Sequence, residues 1–246
     1  MSCIPSRLSS ARIMLLNRPA ALNALNSDML NIITPQLQVW RDSNCSLIIF
    51  NSSSPKAFCA GGDVISLFKS PDPLFFKLEY QLNHFIGTTK KPILSILSGL
   101  VMGGGVGLSV HGPFRIATES TIFAMPETKI GFFPDVGGSF FLSRLDGNLG
   151  IFLGLVGYRL KGIDVLMAGI ATHFVPQARL PQLIARLSEI QSDNFEIISS
   201  AIEEYVGDPV TVQEWENWTL GGGNREIIER YLKHNLDVSN STQSKK

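Results

Sequence analysis

PILSILSGLVMGGGVGLSVHGPFRIATE, residues 92–119, places a glycine cluster between two apolar runs. PILSILSG (92–99) is short, apolar and closed by glycine, the pattern of a buried strand. GVGLSVHG has helical character, and PFRIATE (113–119) and TIFAMP (121–126) return to strand patterns. The same alternation extends in both directions. ARIMLLNR (11–18) and CSLIIFN (45–51) read as strands, with helix-period SDMLNIITPQLQVW between them. DPLFFKLEYQLNHFIGTT (72–89) reads as a helix. Strands alternating with helices predict a mostly parallel sheet covered by helices, an α/β fold. From residue 135 onward the helical pattern takes over, interrupted by THFVP (172–176). Beyond about 191 it becomes polar in NFEIISSAIEEY, TVQEWENW and NREIIERYLKHN, before the disordered-looking SNSTQSKK. No internal repeat is found.

Composition narrows the function classes. Of 246 residues 44% are hydrophobic, enough for one large core or one core with a small appendage. Basic and acidic residues balance at 21 each, which argues against capture of nucleic acid or of a membrane surface. Cys3, Cys45 and Cys59 are odd in number and lack CxxC spacing, so neither a disulfide framework nor a zinc site is expected, and a reducing compartment fits. No apolar run reaches the roughly 20 residues of a membrane span. MSCIPSRLSSAR at the start is basic, Ser-rich and free of acids, which fits the tail of a transit peptide and equally an ordinary disordered terminus.

Two glycine loops and two acids carry the chemistry. AFCAGGD (57–63) and MGGGVG (102–107) each stand between a strand and a helical run. N–H groups at a helix start lack intrahelical partners and suit an anion, and glycine lets a ligand approach the backbone closely. Two such loops could converge on one developing oxyanion, although each by itself also reads as a tight turn. A dinucleotide fingerprint fits poorly, because the cluster lacks the third glycine of GxGxxG and lies far from the first strand. Glu127 and Asp135 flank the apolar turn Ile130–Pro134. Asp135 could cap the helix that follows, whereas Glu127 lies between oily segments that would raise its pKa. His84, His111, His173 and His234 show no HxxxH or HExxH pairing, which argues against a metal site. Trp40, Trp215 and Trp218 read as core or cover residues.

RPAALNALN (18–26), AFCAGGD, GLVMGGGVGLSVHGPFRIAT (99–118) and MPETKIGFFPDVGGSFFLSRL (125–145) together resemble the crotonase (enoyl-CoA hydratase/isomerase) superfamily in order and spacing. GYRLKGIDVLMAGIATHFVP (157–176) extends the likeness. Within the superfamily they are most similar to the 3-hydroxyisobutyryl-CoA hydrolases of valine breakdown. The resemblance implies a spiral of β–β–α turns over about 10–190, a C-terminal helical segment over 191–236, and flexible termini at 1–9 and 237–246. It implies an acyl-CoA substrate, CoA itself being part of that substrate and no separate cofactor being needed. It also implies that Gly62 and Gly104 supply oxyanion N–H groups. CoA would lie along Ala21, Asn23, Ala24 and Leu25 and near Lys56, Ala57 and Phe58, with Arg18 and Lys56 beside its phosphates.

The resemblance also separates subfamilies. Hydratases carry one catalytic Glu in a GGGxE pattern, and here that position is Gly107; their second, in a PE pair, matches Glu127. The hydrolases add an acid eight residues on, where Asp135 stands. Glu127 and Asp135 are therefore expected to be catalytic. Glu79, an exposed helix acid by spacing, is placed by the resemblance at the substrate hydroxyl. The hydrolases continue into further helices that cover the site, so a catalytically weak binding or assembly subunit stays open as the rival, with residual hydratase or isomerase action as another. A mitochondrial matrix location fits the resemblance, with peroxisome and cytosol left open as alternatives. Whether the chain forms a homo-oligomer is left open by the sequence.

Overall fold

The computed structural model describes residues 1–207. The helical segments expected at 211–218 and 224–235, the tail 237–246, and Trp215, Trp218 and His234 lie outside the described residues. In chain order, β1 (Cys3–Leu8) and β2 (Ala11–Leu16) precede α1 (Ser27–Arg41), β3 (Leu47–Ser52), β4 (Ala57–Cys59), α2 (Val64–Lys69) and α3 (Phe75–Thr88). β5 (Ile93–Leu97), β6 (Leu100–Met102), the short α4 (Gly104–Gly107), β7 (Phe114–Ala117) and β8 (Ile122–Ala124) follow. Then come α5 (Gly138–Phe141), α6 (Leu149–Val156), β9 (Leu160–Lys161), α7 (Ile163–Met167), β10 (His173–Phe174), α8 (Leu180–Glu189) and α9 (Phe195–Glu203).

One sheet has the order β1-β2-β3-β5-β7-β10, the other β4-β6-β8-β9. From β2 to β10 the larger sheet is parallel, as are β4, β6 and β8 in the smaller. Each turn of chain lays one strand in the larger sheet and the next in the smaller: β3 then β4, β5 then β6, β7 then β8. That is the expected α/β spiral of β–β–α turns. The stretch 92–107 differs in detail, since the single strand expected there is two, meeting at Gly99. Gly99 has φ +70°, and a Cβ on it would run into the Lys56 carbonyl, so only glycine lets the chain pass between the sheets there.

The N-terminus corrects another expectation. Residues 1–9 are not a flexible tail: β1 pairs antiparallel with β2 from Cys3↔Leu16 to Leu8↔Ala11, and Cys3 is fully buried. An edge strand is covered on one side only, and the Ser-rich, basic stretch around this one resembles a disordered segment.

Alternation places the core on both faces of the larger sheet. Ile48 and Phe50 of β3 and Ile93 and Leu97 of β5 face α1 and α3, together with Met29, Ile33, Leu37 and Leu82. Leu47, Ile49, Leu94 and Ile96 point the other way, onto Leu183 and Leu187 of α8 and Ile198 and Ile202 of α9. α1 begins where Asn26 Oδ1 accepts from the Met29 N–H over 3.0 Å. Both layers hold the strand ends firmly, and the glycine loops leave from those ends.

Candidate active site

The loop after β4, the turn into α4, the 3-10 turn Glu127–Ile130 and one face of α3 enclose a cleft of about 430 Å³. Gly62, Gly104, Glu79, Glu127 and Asp135 all line it, with Val64, Leu67, Phe76 and Phe132 as apolar walls. All five residues named from the sequence for catalysis, oxyanion binding or the hydroxyl contact thus meet in one place.

The two glycine N–H groups are oriented by ordinary backbone geometry. Leu25 N–H donates to the Gly61 carbonyl at 2.8 Å and Asp63 N–H to the Leu25 carbonyl at 2.7 Å, so the intervening Gly62 N–H faces away from Leu25. Gly104 is the first residue of α4, and its N–H has no intrahelical acceptor. A Cβ on Gly104 would lie 3.4 Å from the Gly62 nitrogen, which makes the two donors neighbours. It would also collide with Glu79 Oε1, so any side chain at 104 would fill the space an oxyanion needs.

Three carboxyls share this cleft, and no ion pair engages any of them among the described residues. Glu127 opens the 3-10 turn rather than closing β8; it is buried and its Oε2 has no hydrogen-bond partner. Burial, with Asp135 adding repulsion, pushes its pKa up to about 7. Glu79 is only 2% exposed, contrary to the exposed position its helical spacing implied, because α3 packs flat against the glycine loop at 104. Burial first, then Asp135 and Glu127, raise its pKa to about 8. Asp135 is half-buried; burial raises its pKa, and the Tyr80 hydroxyl, donating to Oδ2 at 2.8 Å, opposes the shift.

The capping role considered for Asp135 is not what the fold uses. α5 begins after Gly137, which has φ +82° and makes no side-chain cap, while the Asp135 side chain turns to Tyr80. Position 107 has no room for an acid. A Cβ there would lie 2.8 Å from both Asn83 Oδ1 and the Val136 Cβ. Tyr80 and Asn83 went unnoticed in the sequence. Asn83 is buried with both amide atoms unpartnered, and its only sequence signal is its place one helical turn beyond Glu79.

The residues expected along CoA divide into accessible and inaccessible. Lys56 is exposed, and Ala21 and Ala24 are half-buried. Asn23, Leu25, Ala57 and Phe58 are fully buried, backbone included, so they present no surface to a ligand and shape the loop from beneath, contrary to the direct contact expected of them. Asn23 clamps the loop: Oδ1 accepts from Arg18 N–H, and Nδ2 donates to Ser52 Oγ and the carbonyls of Ala57 and Phe58. Arg18 is held by Asp63 at 2.9 Å and by the Ala24 carbonyl, and so is committed within the loop. Among the described residues the histidines do not gather: His111 meets the Val136 carbonyl, and His173 lies 3.2 Å from Glu203.

Comparison with known proteins agrees with this geometry. The family model described as enoyl-CoA hydratase/isomerase matches residues 11–244. The human mitochondrial 3-hydroxyisobutyryl-CoA hydrolase is 50% identical over 200 residues, covering 78% of this chain and 52% of that protein. The small ribosomal subunit protein mS47 of Neurospora crassa is 47% identical over 245 residues, covering 92% of this chain and 47% of its own length. The chain thus spans about half the length of these curated relatives. Among solved structures, a carnitinyl-CoA dehydratase from Mycobacterium thermoresistibile superposes with a TM-score of 0.78 at 32% identity, covering 88% of this chain and 65% of that one. An enoyl-CoA hydratase from Rhodobacter sphaeroides gives 0.74 at 37%, covering 83% and 66%. A family match over nearly the whole chain, together with the superposition on solved relatives, settles the kinship: this chain belongs to the enoyl-CoA hydratase/isomerase (crotonase) family.

Proposed function

We propose that the chain hydrolyses the thioester of a short 3-hydroxyacyl-CoA, with 3-hydroxyisobutyryl-CoA as first candidate and 3-hydroxypropionyl-CoA as second. One observation carries the reading. Glu127 and Asp135 share a cleft with the two glycine loops, while position 107 has neither an acid nor space for one. Hydration of a double bond would call on an acid at 107; thioester cleavage calls on the acid at 135.

In this reading the thioester oxygen accepts from the Gly62 and Gly104 N–H groups, which stabilise the charge that builds there during attack. Glu127 drives the attack by one of two routes. Its carboxylate adds to the carbonyl carbon and expels the CoA thiolate, leaving a mixed anhydride that water cleaves, or it takes a proton from a water that adds instead. With its pKa near 7, Glu127 is divided between ionised and protonated forms at neutrality, which suits taking a proton and returning it to the leaving sulfur. Asp135 positions the water or the substrate hydroxyl and handles a proton, and Glu79 meets the hydroxyl. The CoA moiety runs past the accessible members of 21–25 and 56–58, which are Ala21, Ala24 and Lys56 among the residues expected there. The names of the hydrolase relatives place them in mitochondria, and we extend that location, with a role in valine breakdown, to this protein.

A second reading rests on the Neurospora crassa relative, a ribosomal subunit protein matched over 92% of this chain. It makes the chain a catalytically weak crotonase-like binding or assembly subunit. The shared acid cleft favours the enzyme. Thiol release over a panel of acyl-CoAs, with no metal or nucleotide added, decides between them. Release from 3-hydroxyisobutyryl-CoA with negligible hydration of crotonyl-CoA is expected. Robust hydration without free thiol would overturn the assignment, and neither reaction would leave the subunit reading. A single turnover in oxygen-18 water tests the anhydride route: label in the Glu127 carboxylate marks an anhydride opened at the Glu127 carbon, because general-base attack never exchanges the Glu127 oxygens.

A further inference from the structure

Val136, next to Asp135, has φ +43°. A β-branched residue adopts that left-handed conformation only where its surroundings over-determine it. Two supports are visible. The Val136 side chain is 2% exposed and seats on Gly107, where a Cβ would stand only 2.8 Å from the Val136 Cβ. The Val136 carbonyl meets His111 Nε2 at 2.8 Å. The imidazole is itself wedged in place. A Cβ on Gly137 would lie 2.5 Å from its Cε1, Gly87 of α3 faces its Cβ, and Phe141 meets the ring edge-on at 6.4 Å. A carbonyl only accepts, so the imidazole carries its proton on Nε2, and burial keeps the ring neutral by lowering its pKa.

We propose that His111 and Gly107 are positioning residues: His111, donating Nε2–H to the Val136 carbonyl, and Gly107, leaving the seat that the Val136 side chain fills, hold the 134–137 loop in the conformation that turns Asp135 into the cleft. The missing acid at 107 and the acid present at 135 are then one steric event. A side chain at 107 would unseat Val136 and swing Asp135 away. The kinetic consequences rest on the thioesterase reading above; the geometric ones do not.

The test uses His111→Phe, which keeps bulk without a donor, and His111→Gln, whose amide N–H reaches toward the same carbonyl. Carbon-13 NMR of the Asp135 carboxyl, assigned through Asp135→Asn, reads its position without any need for activity. In the wild type Asp135 should titrate above the ordinary aspartate value. In His111→Phe it should move back toward that value, and in His111→Gln it should stay near the wild type. With 3-hydroxyisobutyryl-CoA, His111→Phe should lose about tenfold to a hundredfold in kcat, the scale of a misplaced catalytic group, with KM little changed. In an Asp135→Asn background it should cost nothing further, because the residue acts through Asp135. Should His111→Phe fail to fold, Val136→Gly carries the same test, since it relieves the strain, empties the seat and should release the carboxyl. An unmoved Asp135 titration in all variants would overturn the proposal, as would multiplicative losses with Asp135→Asn. A wild type without thioester hydrolysis would sink the proposed function while the titration still decided the positioning.

Discussion

Tyr80 and Asp135, far apart in sequence, are joined by one hydrogen bond in which the phenol Oη donates to Oδ2 over 2.8 Å. It ties α3 to the loop beyond the Glu127 turn and brings a polar donor to the mouth of an otherwise acidic cleft. The phenol favours the Asp135 carboxylate, against the burial that raises its pKa.

Removing that donor has a definite sign. In Tyr80→Phe the carboxylate loses its stabilising partner, so the Asp135 pKa rises further. If Asp135 works ionised, the acid limb of the pH–kcat/KM profile should shift upward, with the rate at the optimum reduced by about tenfold or less. An unmoved acid limb would mean that Asp135 is not the group titrating there.

Glu79 makes a stability prediction. Its folded pKa, about 8, lies above the ordinary 4.5, so the folded state holds a proton that the unfolded state releases between those values. Stability from this group is intact below about pH 4.5, falls as pH rises toward 8 and is flat above. Glu79→Gln removes the titration, so its Tm should exceed the wild type by several degrees at pH 9 and differ little at pH 5. Equal differences at both pH values would show that Glu79 is not protonated in the fold.

The acid pair separates by substitution. Glu127→Gln should nearly abolish thiol release while still binding a CoA ester in calorimetry. Asp135→Asn should keep a small residual rate and a near-normal Tm, because the side chain caps no helix. A full rate in Asp135→Asn would reduce Asp135 to scaffolding.

The glycine loop predicts a large loss from a small group. Gly104→Ala places a methyl against Glu79 and 3.4 Å from the Gly62 nitrogen, where the substrate oxygen would sit. A loss of about 10²–10³ in kcat is expected, the scale of losing one oxyanion donor. A folded Gly104→Ala protein with normal turnover would show that the loop is only a turn.

Restoring an acid at 107 should not restore hydration. Gly107→Glu must push past Asn83 and Val136, both buried and within 2.8 Å of the new Cβ. Lower Tm and no hydration of crotonyl-CoA are expected, as overpacking costs about 1–3 kcal/mol. Appreciable hydratase activity in this variant would show that the site accommodates the second acid.

Local sequence was enough for much of this protein. Apolar runs of strand length, helical periodicity and two glycine loops fixed the α/β alternation, since each depends on residues close in the chain. The PE pair and the aspartate eight residues on were legible for the same reason. Other features depend on segments brought together from far apart. β1 lies in a Ser-rich, basic stretch and becomes an edge strand only because β2 offers it a ladder from Cys3 to Leu8. The run at 92–107 becomes two strands because the chain must cross between sheets beneath the Lys56 carbonyl. Glu79 looks exposed by helical spacing and is buried because α3 lies against the loop at 104. Arg18, expected beside the CoA phosphates, is instead taken by Asp63 on another loop. Periodicity reports which face of an element is apolar; it does not report which partner covers the other face. That choice, made by the packing of α3 and the 134–137 loop onto the glycine turns, raised the pKa of all three acids and set Asp135 against Tyr80.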